Sequence, residues 1–152
     1  MSIYASSTLV SSEKSKAEIE RTLKCYGAEE FVSGWDQDKA IVMFKMANRR
    51  IRFYLPMPDK ELFKKTPSGR QRNNTWAVEQ AWEQAGRQRW RALALVIKAK
   101  LEAVESGITS FEEEFLAHVV MSNGQNFGAW AVPQIAEVYE KKKMPPLLGA
   151  GS

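Results

Sequence analysis

The chain has 152 residues, of which 44% are hydrophobic and 11% aromatic, and a net charge of +4. That length suits one domain, and that much apolar side chain fills a core able to bury roughly two-thirds of the extended surface, which excludes extensive disorder and multi-domain machinery. The single cysteine, Cys25, excludes an internal disulfide, and the longest apolar run, residues 92–97, is too short for a membrane span.

In chain order, residues 11–26 read as a first helix. Ser15 and Glu18 fit a capping box, Ala17, Ile19 and Leu23 supply an apolar side, and Gly27 stands where a helix ends. Three strand-like runs follow, 30–35, 39–46 and 49–55, separated by Asp36-Gln37-Asp38 and by Ala47-Asn48, which suit tight turns. That order predicts an antiparallel β-meander. The third run alternates, with Ile51, Phe53 and Leu55 on one face and Arg50, Arg52 and Tyr54 on the other.

Pro56, Pro58 and Pro67 break the pattern, and residues 64–74 hold almost no apolar side chain, which predicts a mobile basic loop. Asn74 or Thr75 then caps a long helix to about Ser106. Its apolar stripe runs through Trp82, Gly86, Trp90, Leu93, Ile97, Leu101 and Val104. At 100° per residue, Arg87, Arg91 and Lys98 lie on one shoulder of that stripe and Arg89 and Lys100 on the other. Gly107 stops the helix, and Ser110 with Glu113 forms a capping box that opens a segment from Phe111 to about Met121. Phe111, Phe115 and His118 or Val119 line its inner side. Residues 115–121 also suit a buried strand, with 122–125 as a hairpin turn before 126–130. Pro133 belongs in the first turn of a last helix running through Ile135, Val138 and Tyr139 to Lys143. The expected fold is therefore α+β: an N-terminal helix, a three-stranded antiparallel meander, a long central helix and further helical or hairpin elements at the C-terminus. Residues 1–144 form a single domain on this reading, and 145–152, with Pro145-Pro146, form a flexible tail.

Charge is distributed unevenly. Residues 45–100 carry 14 Lys or Arg against 4 acidic residues, a net of +10, whereas the preceding part has 5 against 7 and the following part 3 against 7. Eight of nine arginines fall between positions 49 and 91. Arginine presents a planar fork matched to phosphate oxygens and also stacks on bases, so this concentration points to a polyanion. Pairing of the basic middle with the acidic flanks, Glu112-Glu113-Glu114 included, is the alternative.

Residues for catalysis are few. His118 is the only histidine, which leaves no multi-histidine metal site in one chain, and it reads as a core residue. Cys25 falls near a helix C-terminus, where the dipole disfavours a thiolate. Asp36, Asp38 and the three glutamates from Glu112 suggest magnesium ligands, but consecutive helical glutamates do not share a face, and acidic residues at a helix start are explained by the dipole. No phosphate-binding loop, nucleophile elbow or dinucleotide fingerprint occurs. An enzyme is the less favoured reading, and no cofactor or metal is expected. Of Trp35, Trp76, Trp82, Trp90, Trp130 and Tyr54, it is Tyr54 that shares a strand face with arginines, as in a surface that holds phosphates and stacks a base.

The block from Trp82-Glu83-Gln84-Ala85-Gly86-Arg87-Gln88-Arg89-Trp90-Arg91-Ala92-Leu93 through Lys98-Ala99-Lys100-Leu101-Glu102-Ala103-Val104-Glu105-Ser106-Gly107, followed by residues 111–120, resembles a family of small uncharacterised proteins of tailed phages and prophages. The strand Arg49-Arg50-Ile51-Arg52-Phe53-Tyr54-Leu55-Pro56 and residues 2–12 extend the resemblance over most of the chain. It implies phage origin and expression in a bacterial cell, and brings no established activity or site residues. The order helix, meander, long helix is also similar to that of double-stranded-RNA-binding domains, although Thr75-Trp76-Ala77-Val78-Glu79 replaces their lysine-rich start of the second helix. The same order resembles the core of strand-annealing recombination proteins.

The expectation is a non-enzymatic nucleic-acid-binding protein of DNA replication or recombination, largely indifferent to sequence, in the cytoplasm of the bacterial host. Arg49, Arg50, Arg52, Lys64, Lys65, Arg70, Arg72, Arg87 and Arg91 contact phosphates on this reading, Tyr54 stacks, and DNA is preferred to RNA. The alternative is a protein-binding inhibitor of a host defence complex, and a weaker one is a metal-dependent nuclease using Asp36, Asp38 or Glu114. Homo-oligomerisation is open, and no membrane partner is expected, because residues 1–10 also lack the basic and hydrophobic regions of an export signal.

Overall fold

Two tight turns set the register of the sheet. In the computed structural model, which describes residues 3–144 with side chains from residue 12 onward, β1 (Glu30–Asp36), β2 (Lys39–Met46) and β3 (Arg49–Pro56) form an antiparallel sheet in the order β1-β2-β3. Ala47 and Asn48 both lie in the left-handed region, φ 53° and 58°, as a two-residue hairpin turn with matching twist requires. In the other turn Gln37 adopts φ 58°. Asp36 is thereby paired with Lys39 and Met46 with Arg49.

The inner face presents Phe31, Phe44 and Ile51 in one cross-strand row, Ser33, Val42 and Phe53 in the next, and Trp35, Ala40 and Leu55 in a third. Against it pack α1 (Ile3–Cys25), through Ile19 and Leu23, and α2 (Thr75–Glu105), through Trp90, Leu93, Ala94, Ile97 and Leu101. Phe115 completes the core, edge-on to Phe44 and Phe53 with centroids 5.8 and 6.2 Å away. The fold is α+β, as the periodicity predicts. Asn74 caps α2 by accepting the Ala77 N–H at 2.8 Å, and Gly27 and Gly107 end the two long helices at φ 98° and 80°.

Four expectations need correction. The first helix starts at Ile3, so Ser15 lies inside it and no capping box operates there; no proline or glycine interrupts residues 3–26, and nothing in the backbone halts the helix sooner. The segment from Phe111 is neither one helix nor one strand: α3 (Phe111–Glu114), capped by Ser110, passes into a 3-10 turn, Leu116–His118. After it come single bridges from Ile51 to Val119 and from Val120 to Asn126, the latter closing a hairpin over residues 122–125. Residues 126–130 are not a strand, because Asn126 stands at the N-cap of α4 (Phe127–Lys141), which places Pro133 inside that helix and its end two residues before Lys143. Residues 64–74 are a closed hairpin rather than an open loop: Thr66 N–H donates to the Arg70 carbonyl and Arg72 N–H to that of Lys64, at 2.7 and 2.8 Å. The tail, 145–152, lies outside the described residues.

Candidate nucleic-acid interface

The outer face of the sheet follows from the same register. Its rows are Glu30, Lys45, Arg50; then Val32, Met43, Arg52; then Gly34, Ile41, Tyr54; and finally Asp36, Lys39, Pro56. Four cations meet two carboxylates around a partly apolar centre, in which Val32 and Tyr54 are exposed and Ile41 and Met43 half-buried. None of these residues belongs to the core cluster that buries the inner face.

Tyr54 is the hub of this face. The Arg52 guanidinium lies 5.0 Å and the Lys39 ammonium 5.4 Å from its ring centroid, within the range of cation–π attraction. Arg52 is held from behind, where its Nε donates to Asn126 Oδ1 at 3.0 Å and Nη2 to the Gly124 carbonyl at 2.6 Å. Lys39 has no carboxylate partner among the described residues. Arg50 makes one loose ion pair with Glu30, 3.6 Å, both half exposed, which contributes little.

The other predicted contacts are not brought to this face. Arg49 shares the parity of Ile51 and turns toward α3, donating from Nε to Glu112 Oε1 at 2.7 Å. Lys64 pairs with Glu61 at 2.7 Å, and Arg72 Nη1 donates to the Phe63 and Lys65 carbonyls at 2.8 and 2.7 Å. These residues, with exposed Lys65 and Arg70, belong to residues 57–74, which pack on the first half of α2: Trp82 Nε1 donates to the Pro58 carbonyl at 2.7 Å, and Lys60 pairs with Glu79. Arg87 and Arg91 ride on α2, which covers the inner face, so the sheet separates them from Arg50 and Arg52. Arg87 is engaged with Gln84, whereas Arg91 and Lys98 are exposed without an ion pair among the described residues. The ten candidates thus fall into four places: Arg50, Arg52 and Tyr54 on the outer sheet face, Arg49 against α3, Lys64, Lys65, Arg70 and Arg72 in residues 57–74, and Arg87 and Arg91 on α2. Lys39 and Lys45, which the sequence reading did not select, join the sheet group.

The acidic candidates are equally dispersed. Asp36 and Asp38 lie at the turn between β1 and β2, whereas Glu114 accepts from Lys100 Nζ at 3.3 Å. Among the described residues no group of three or more His, Cys, Asp or Glu side chains is placed to hold a metal ion. His118 stacks on Phe53, centroids 4.0 Å apart at 24°, and burial, followed by the Lys100 charge, lowers its pKa below the ordinary 6.5. Cys25 is exposed and unpaired. No helix among the described residues is long and apolar enough to cross a membrane. Comparison with protein-family models, with curated proteins and with solved structures returns no match.

Proposed function

We propose that the chain is a non-enzymatic nucleic-acid-binding protein of tailed-phage origin, acting in DNA replication or recombination in the bacterial cytoplasm. The observation that carries the reading is the cluster of Lys39, Arg52 and Tyr54 on an open sheet face, flanked by Arg50 and Lys45. Arg52, fixed by Asn126, offers a preset fork for a phosphate. Lys39 swings from the Tyr54 ring to a neighbouring phosphate and uncovers that ring for a base. Nothing on the face selects a base edge, so binding is expected to be indifferent to sequence and to weaken steeply with salt as counterions are released.

The test is fluorescence anisotropy with labelled single-stranded DNA, duplex DNA and duplex RNA at several salt concentrations. Lys39→Ala with Arg50→Ala should lower affinity and flatten the log–log salt slope by about 1 to 2. Tyr54→Leu should weaken single-strand binding and leave the slope unchanged. An unaltered slope in the double variant, alongside intact binding, removes this surface from the reading.

A second reading, inhibition of a host defence complex through protein contacts, is favoured by the internal pairing of Arg49, Arg50, Lys60, Lys64 and Lys100 with carboxylates. Absence of nucleic-acid binding at low salt, together with nuclease-resistant capture of a host protein, supports it.

A further inference from the structure

Helix α4 is the anomaly of the fold. Its fifteen residues, FGAWAVPQIAEVYEK, are mostly apolar, yet none is buried. Its main packing partner is the 3-10 turn Leu116–His118, at the helix start, where Gly128 lies so close to Ala117 that a Cβ there would stand 3.0 Å from the Ala117 carbonyl oxygen. Beyond that anchor Val132, Ile135 and Tyr139 are 62%, 55% and 80% exposed. They fall at intervals of three and four, a seam along one side of the helix that continues past the Gly128 anchor.

From this seam we infer that α4 is a self-association surface, on which a second copy of this chain docks its own α4 antiparallel, about a two-fold axis at Ile135. Three observations select a second copy. The first is area: Val132, Ile135, Tyr139 and Met144 are all exposed, and side chains of these sizes at such exposures offer on the order of 600 Å2, against about 800 Å2 per partner in a standard interface. The second is charge pattern. All charges of the helix lie in its C-terminal part, Glu137, Glu140 and Lys141, and continue into Lys142 and Lys143. A parallel pair opposes each charge to itself, whereas an antiparallel pair sets them against the uncharged first half.

The third is complementarity at the ends. An antiparallel pair brings the partner's Lys142 and Lys143, where its chain leaves the helix through the left-handed turn at Lys142 (φ 53°), toward the start of α4. Phe127 lines an open groove of about 430 Å3 with Leu116, Val119 and Met121, whose rim carries Glu112 and Glu113. Glu112 already holds Arg49, but Glu113 has no ion pair among the described residues. Lys141 is engaged within its own helix by Glu137 at 2.8 Å, which leaves Lys142 and Lys143 for the acidic rim.

Sedimentation equilibrium of the full chain tests this. Wild type should be dimeric at tens of micromolar, and Ile135→Asp should raise the dimer dissociation constant by about 100-fold or more, with unchanged circular dichroism and, at dilutions where both chains are monomeric, an unchanged thermal midpoint because the residue is exposed in the monomer. Glu113→Lys should weaken the dimer, and Glu113→Lys combined with Lys142→Glu should restore it. In a Cys25→Ser background, mild oxidation should cross-link Ile135→Cys chains and not Glu140→Cys chains, which place the thiol on the opposite side of the helix. A monomeric wild type at about 100 µM, a dimer insensitive to Ile135→Asp, or preferential cross-linking at position 140 overturns the inference; the first of these leaves α4 to a different protein.

Discussion

Arg52 and Asn126, 74 positions apart, hold each other reciprocally: Arg52 Nε donates to Asn126 Oδ1 at 3.0 Å, and Asn126 Nδ2 donates to the Arg52 carbonyl at 2.9 Å. Asn126 is the one buried polar residue among those described, and its side chain makes no cap bond to α4 because this clamp engages it. The clamp ties the hairpin at 122–125 to the edge strand β3 and aims the Arg52 fork. Asn126→Ala should therefore cost about 1 to 3 kcal/mol in urea denaturation, since it leaves the Arg52 carbonyl short of a donor. Asn126→Asp keeps the acceptor for Arg52 but loses the same donor and sets a carboxylate oxygen against the Arg52 carbonyl, so it should be destabilising too.

Stability should depend on pH through His118. Its folded pKa is lowered, so the unfolded chain takes up the proton first as pH falls. Stability should be flat above about pH 7 and decline below the ordinary value of 6.5, with a slope that stays under the one-proton ceiling of about 1.4 kcal/mol per pH unit. In His118→Gln that decline should vanish between pH 7 and 5.5, as read by denaturation at fixed ionic strength. A wild-type curve parallel to the variant's across that window removes His118 as its source.

Two glycines in helices should respond oppositely to alanine. At Gly86, in α2, the nearest atom to an added Cβ is Met57 Sδ at 3.9 Å, an ordinary contact, so Gly86→Ala should add up to about 1 kcal/mol of stability from helix propensity. At Gly128 the same methyl meets the Ala117 carbonyl oxygen at 3.0 Å and Ala117 Cβ at 3.1 Å. Gly128→Ala should lose roughly 1 kcal/mol net, with overpacking outweighing propensity, and should loosen the anchor of α4. Thermal melts of the pair decide it.

The turn between β2 and β3 contains an alanine where the backbone favours asparagine or glycine. Ala47 and Asn48 both adopt positive φ, which costs an alanine about 1 kcal/mol. Ala47→Asn with Asn48→Gly should raise stability by about 1 kcal/mol at an unchanged denaturant m-value, because no buried side chain is touched.

How far the sequence discloses this molecule depends on the range of the interactions. The meander was legible because short turns at 36–38 and 47–48 and strict alternation in 49–55 are local, and α2 because Asn74, the stripe and Gly107 agree. Residues 115–130 were not, since Val119 and Val120 each make one bridge and their partners Ile51 and Asn126 are settled by tertiary packing. In the candidate site, the shared face of Arg50, Arg52 and Tyr54 was legible from parity. Lys39 and Lys45 also follow from the two-residue turn, which sets them opposite Pro56 and Arg50. No local signal joins Arg49 to Glu112, or tells that α2 carries Arg87 and Arg91 behind the sheet.

The length of α2 has a consequence for how the molecule opens. Thirty-one residues extend roughly 46 Å, whereas the eight-residue strands beneath span roughly 27 Å. All five buried residues of α2 fall between Trp90 and Leu101, and none precedes Trp90. Amide hydrogen exchange along the helix should therefore be graded: slow, and set by global unfolding, from Trp90 onward, and faster by sub-global opening toward Asn74, where residues 57–74 peel away together with the first turns. A single helix then spans two cooperative units.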